Sequence, residues 1–301
     1  MDGYSDSALR QICKYVNPNI ITVTEFTSAD GLHHGAKKLK EKLKFKASEQ
    51  PIIAQIFGKN TETFIGAAKL CEDMGFTGID INMGCPSKRV VRSEHGVALR
   101  RNCDLAFQLI ETLAKNTSLP ISVKTRLGWT DASDLTQFAL GAQNAGADMI
   151  CIHARTYAEP YNVPANFEPV YDMKQKLSIP VIGNGGITSY QDGLSKMGNL
   201  DGFLIGQAAF GNPWVFDVNG KPPSFSERIA MMKQHADYLV ESKGEGGLRE
   251  IRKHFSQYIK AIPNAKTYRS LLVQVHSLEA VNQILADLYQ HIINTELQPT
   301  S

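Results

Sequence analysis

The chain has 301 residues, 43% hydrophobic and 21% charged, which is enough apolar material for a large core, and its net charge of +2 rules out a global attraction to nucleic acid. No apolar run approaches the ~20 residues needed to cross a bilayer, and the polar start MDGYSDSALR lacks the pattern of a secretory signal. Five cysteines, odd in number, widely spaced and without C-x-x-C, argue against a disulfide framework and a structural zinc site. The expected setting is the reducing cytoplasm, and the expected state is a monomer without metal or membrane contact.

In chain order, a helix-like segment at 5–15 precedes seven β-rich runs at 20–24, 52–57, 78–82, 121–125, 149–153, 180–183 and 202–206. Most are continuous apolar runs, the pattern of strands buried on both faces of a parallel sheet. Helical stretches at 61–74, 104–115, 135–144 and 167–176 alternate with them, which implies right-handed β-α-β crossovers. Seven strands are one short of a (β/α)8 TIM barrel, and the expectation is that the first strand belongs upstream of Met1. A doubly wound open sheet is the competitor, but Gly183-Asn184-Gly185-Gly186 fails the G-x-G-x-x-G pattern.

Lys221-Pro222-Pro223 reads as a linker, and Ser224-Phe-Ser-Glu227 as a capping box that opens a helix. Helical periodicity then runs to the end, with Leu271, Val275, Leu278, Leu285 and Leu288 on one stripe. The expected domains are a barrel at 1–220 and a small all-helical domain at 224–301.

Barrel enzymes carry their chemistry at the C-terminal ends of the strands. There this sequence places Gln55, Asn82, Lys124 with Arg126, His153 with Arg155, Asn184 and Gln207. Singly, each is an ordinary hydrogen-bonded residue. Polar groups closing nearly every strand of an apolar set point to one shared polar ligand at the barrel mouth. The glycines at 183, 185, 186 and 206 fit tight turns and a phosphate cradle equally well.

Five motifs occur in order: N-x-G-C-P at 82–86, V-K-T-R-L-G at 123–128, I-H-A-R-T at 152–156, G-N-G-G-I at 183–187 and G-N-P-W-V-F at 211–216. Together they resemble the tRNA-dihydrouridine synthase family, flavoenzymes that reduce uridine in tRNA, over nearly the whole chain. The resemblance implies FMN at the barrel mouth and NADPH as reductant. It assigns flavin and active-site contacts to Gln55, Asn82, Lys124 and His153, and phosphate loops to Asn184, Gly185, Gly186 and Gly206. Met1 matches the methionine of a Pro-Met turn. The family's arginine after the eighth strand is Gln207 here, which brings no charge to a phosphate. Either affinity is lower or a Lys or Arg from another loop compensates.

The resemblance makes Cys85 the general acid that protonates the base opposite the flavin. A thiol is mostly protonated at neutral pH, as a donor must be. Buried small hydrophobes are the default for free cysteines, and Cys71 and Cys151 are read so, with Cys13 and Cys103 less firmly. Candidate tRNA contacts are Lys88, Arg89, Arg92, Arg100 and Arg101 after the catalytic turn, and Arg126 and Arg155 near the pocket. In the tail they are Arg249, Arg252, Lys253, Lys260, Lys266 and Arg269. Six lysines at 37–46 read as a solvated helix face. Alternative functions are flavin-dependent reduction of a small pyrimidine or enone, and a non-catalytic tRNA-binding protein that has lost flavin.

Overall fold

The computed structural model describes residues 2–262 and 265–296. They form two compact units. One comprises Asp2, Ile21–Phe45 and Gln50–Gly206, and the other Gly3–Ile20, Lys46–Glu49 and the residues from Gln207 onward.

The first unit is a parallel sheet curled in TIM-barrel fashion. Its strands are β1 (Thr22–Val23), β2 (Thr27–Ser28), β3 (Ile52–Phe57), β4 (Gly78–Asn82), β5 (Ile121–Arg126), β6 (Met149–His153), β7 (Val181–Asn184) and β8 (Gly202–Leu204). The order is β1-β3-β4-β5-β6-β7-β8, with β2 also on the outer edge of β3, so β1 and β2 are two pieces of one interrupted edge. Among the described residues no pairing joins β8 to β1. Helices follow the strands as expected, Thr61–Asp73 after β3 and Cys103–Asn116 before β5, with Asn60 and Asn102 side chains capping their first turns.

The strands are less uniformly apolar than their sequence suggests. Ile52, Ala54, Ile56, Ile79, Ile81, Ile121 and Val123 pack in one core with the helices' apolar faces. The alternate positions, Gln55, Asp80, Ser122, Lys124 and Cys151, line a small cavity of about 50 Å³. Alternation sends the core residues outward under the helices and Gln55, Asp80, Ser122 and Lys124 inward, beside Val23, Ile53, Met149, Ile182 and Leu204.

The second unit holds the helices Ser7–Val16, Phe225–Lys243, Leu248–Tyr258, Lys266–Leu272 and Leu278–Glu296. Ser224 and Glu227 form the expected capping box. A division at 220–224 does not describe these units. Ala8 and Ile12, from an amphipathic N-terminal helix, lie fully buried in one core with Met232, Ile251, Phe255, Leu272 and Leu288. Arg10 and Glu49 close a buried ion pair there at 2.6 Å. The proposed leucine stripe breaks between residues 272 and 278. Leu272, Val275, Val281, Leu285 and Leu288 are buried, and Leu271 is 48% exposed.

Candidate active site

The sequence-predicted residues of β3 to β7 meet at one end of the sheet. Register puts Gln55 opposite Asp80, Asp80 opposite Ser122, Asn82 opposite Lys124 and His153 opposite Asn184. Asp80 accepts from Ser122 Oγ at 2.7 Å and from Gln55 Nε2 at 2.8 Å. Gln55 Oε1 accepts from Asn82 Nδ2 at 2.9 Å. Asn82 Oδ1 accepts the backbone N–H groups of Gly84 at 3.3 Å and Cys85 at 3.0 Å, an Asx turn that starts the Gly-Cys-Pro bend.

The bend rests on the end of β5. Met83 N donates to Lys124 O at 2.8 Å, and Arg126 Nε donates to Gly84 O at 2.9 Å. Cys85 is half-buried. Burial raises its thiol pKa above the ordinary value, against smaller lowering effects from the Ser87 backbone N–H and the Arg126 charge. The thiol therefore keeps its proton at neutral pH. Gly96 approaches from the following 3-10 turn with φ +61°, and a Cβ there would stand 2.9 Å from Cys85 O and 3.1 Å from Cys85 Cβ. Only glycine fits that approach.

Asn184 is the hub on the other side. Its Oδ1 accepts from Lys124 Nζ at 2.9 Å and from His153 Nδ1 at 2.9 Å, and its Nδ2 donates to Leu204 O at 2.8 Å. Burial, then the charges of Lys124, Arg126 and Arg155, push the His153 pKa down to about 2. The ring is neutral, donating at Nδ1 and accepting at Nε2 from Arg155 NH1 at 3.2 Å. Gly185 and Gly186 follow at φ +126° and +62°, and a Cβ at 185 would lie 3.4 Å from His153 Nε2.

Other expected residues brace this set or lie outside it. Arg126 and Arg155 are 3% and 5% exposed and bind the protein itself: Arg126 donates to Gly84 O and Thr156 O, and Arg155 Nε donates to Val163 O. They hold loops instead of offering a surface to RNA. Arg100 is likewise buried, over the Phe138 ring and paired with Asp134. Lys88 and Arg89 are exposed on the short helix Lys88–Arg92. Gly206 closes the barrel unit, while Gln207 begins the other. There Gln207 lines a cavity of about 520 Å³ with Asn212, Arg228, Gln257 and Lys260. Arg252 is tied to Val275 O at 2.6 Å, and Lys253 sits 4.2 Å over the Tyr4 ring. Met1 lies outside the described residues.

Sequence reasoning missed Asp80 and Arg228. Asp80 stands two residues before Asn82, on the same face of β4, and that spacing was the available signal. Arg228 sits in the first turn after the capping box, where nothing in the sequence marks it. Among the described residues no cluster of three metal-ligating side chains occurs, and no helix is long and apolar enough to cross a membrane.

Comparison with known proteins gives the family. The family model "Dihydrouridine synthase (Dus)" matches residues 1–295. The chain is 31% identical over 297 residues to a probable tRNA-dihydrouridine synthase 1 of Synechocystis sp., covering 95% of this chain and 83% of that protein. It is 30% identical over 306 residues to tRNA-dihydrouridine synthase B of Xanthomonas campestris pv. campestris, covering 97% and 92%. It is also 30% identical over 293 residues to tRNA-dihydrouridine synthase B of Pseudomonas syringae pv. tomato, covering 93% and 87%.

Proposed function

This chain belongs to the dihydrouridine synthase family, and from that premise we propose that it reduces the 5,6 double bond of uridine in tRNA, using FMN and NADPH, with Cys85 as proton donor. The observation that carries the reading is the Cys85 turn. A half-buried thiol, held protonated by burial, is pinned to the ends of β4 and β5 beside Lys124.

The donor set fits a flavin. Lys124 is an ammonium that spends one hydrogen bond on Asn184, leaving two protons for an acceptor. A cation there favours an anionic reduced ring. His153 and Asn184 are fixed in orientation by their own partners, and the side-chain-free stretch at Gly185 and Gly186 leaves backbone for a phosphate to approach. FMN, when bound, supplies the hydride. The chain's own part is to hold the base, exclude water and deliver the proton from Cys85 Sγ. Gln207 is uncharged, so a phosphate there gains hydrogen bonds without an ion pair.

The barrel unit is the catalytic part in this reading. Lys88 and Arg89 are exposed cations of that unit after the catalytic turn, and in the helical unit Lys260 is exposed while Arg228 and Lys253 are half-buried. They supply the sequence-independent phosphate contacts that a folded RNA needs while one base leaves the stack.

The test is Cys85→Ala in the FMN-loaded protein, assayed on unmodified tRNA. Dihydrouridine formation falls by about 10²–10⁴, the range for a lost general acid, while the flavin spectrum and reduction by NADPH stay as in the parent. Full tRNA reduction by Cys85→Ala overturns the acid role. A preparation without flavin absorbance overturns the enzyme reading.

A further inference from the structure

One member of the network has no part in the chemistry above. Asp80 reaches neither the thiol nor the surface, and it is 4% exposed. We propose that Asp80 is a positioning residue for Cys85: it sets the polarity of a side-chain relay, Asp80–Gln55–Asn82, whose last oxygen holds the backbone of the Gly84-Cys85 turn. The proposal rests on the reading of Cys85 as the acid.

The argument is one of donors and acceptors. A primary amide is nearly symmetric in shape, so packing alone hardly distinguishes its two orientations. Ionised Asp80 only accepts. It takes Ser122 Oγ–H on one oxygen and Gln55 Nε2–H on the other. Gln55 must then turn Oε1 toward Asn82, and Asn82 must answer with Nδ2. That leaves Asn82 Oδ1, and no other atom, to receive the N–H groups of Gly84 and Cys85. Reverse the first link and each amide flips in turn, until an NH₂ group faces the backbone N–H of Cys85. Gln55 and Asn82 are each 7% exposed, so water does not readily make good the loss. The polarity of the turn beneath the thiol is therefore decided two side chains away, on β4, by the one acceptor-only group in the row.

The charged and titratable groups facing Asp80 are Lys124 on β5 and Cys151 on β6. Neither displaces Gln55 or Ser122 as its hydrogen-bond partner. An amide at position 80 can keep the relay's polarity, with its oxygen toward Gln55 and its NH₂ toward Ser122. An alkyl group cannot.

The experiment compares Asp80→Leu, Asp80→Asn and the parent, all FMN-loaded. Alkylation of Cys85 by iodoacetamide is mapped by mass spectrometry and expressed relative to Cys103 in the same chain, which controls for general loosening. Asp80→Leu releases the turn and speeds alkylation of Cys85 over Cys103 by about fivefold, since thiol reactivity follows exposure. Its kcat on tRNA falls about tenfold to a hundredfold with KM within about twofold, as for a misplaced catalytic group. Asp80→Asn recovers both to within about threefold of the parent because it keeps the hydrogen-bond polarity. Should Asp80→Leu not fold, Asp80→Ala, which likewise removes the acceptor that orients Gln55, raises the alkylation ratio by the same route. An unchanged alkylation ratio in the variant that folds, or Asp80→Asn behaving as Asp80→Leu, overturns the proposal. The reading beneath it fails separately: if Cys85→Ala still reduces tRNA while Asp80→Leu speeds alkylation, the acid role is lost and the relay stands.

Discussion

The two units bury polar side chains to different ends. In the barrel unit, Asp80, Gln55, Asn82, Lys124, His153 and Asn184 each point to a next partner, and one row ends at the backbone of the half-buried Cys85. In the helical unit, the Arg10–Glu49 pair and the tilted and edge-on rings of His235, His254 and Tyr258 are sealed among apolar side chains. The first arrangement orients groups for chemistry. The second ties distant segments together, residues 10 and 49 in one case and residues 235 and 258 in the other. The same physics of desolvation serves placement in one unit and cohesion in the other.

Breaking the cohesive side at its strongest point gives the largest expected effect. Glu49 is fully buried, and Glu49→Ala removes the carboxylate that neutralises the buried Arg10 guanidinium, at a cost of about 3–5 kcal/mol. Urea unfolding followed by circular dichroism checks this, and a change below about 1 kcal/mol would assign the pair to the surface class.

The histidines give a smaller effect with a defined pH sense. Burial, outweighing the attraction of Asp6, pulls the pKa of His235 down to about 4. Burial, with His235 beside it, pulls that of His254 down to about 3. Unfolded imidazoles protonate near ~6.5, so between those values the unfolded chain binds more protons. Stability is complete above about pH 6.5 and declines as pH falls toward 4, by about 3 kcal/mol per histidine. Melting temperatures from pH 7 to 4.5 should show this slope in the parent and a shallower one in His235→Gln. An equal slope in both would remove His235 from the account.

On the placement side, Lys124→Ala leaves the helical core intact and weakens flavin retention about tenfold, the loss of one charge-assisted contact. Equilibrium dialysis of FMN against parent and variant reads it, and equal retention would deny Lys124 a part in flavin binding. The smallest effect belongs to the cations that line the cavity of the helical unit. Lys260→Gln with Arg228→Gln lowers tRNA affinity a few fold and reduces the salt slope by about 2. Filter binding across a salt series measures both, and an unchanged slope would remove the cavity from the RNA surface. Arg252 is unsuited to this test because it also secures the carbonyl of Val275.

The fold was legible because parallel strands alternate with helices at regular spacing, and seven of the eight strands were placed within a residue or two. The second segment of the interrupted edge, Thr27–Ser28, is two residues long and carries no pattern. The site was legible at strand ends, where Gln55, Asn82, Lys124, His153 and Asn184 announce themselves by polarity. What lay beyond reach depends on direction. Nothing in the letters shows that Arg126 and Arg155 turn inward to carbonyl groups. Nor does the sequence show that the helix Ser7–Val16 shares a core with residues more than two hundred positions later. Side-chain orientation and long-range packing are tertiary decisions, taken by the burial of whole surfaces and not by local pattern.

The missing side chain at position 96 has a practical corollary. Because the Cys85 carbonyl and Cβ leave no room for even a methyl group there, residue 96 works as a set screw on the sulfur eleven positions earlier. Gly96→Ala, the smallest possible change, would press on the Cys85 carbonyl and Cβ without altering the thiol's chemistry, offering a mechanical gauge of how tightly proton delivery depends on its placement.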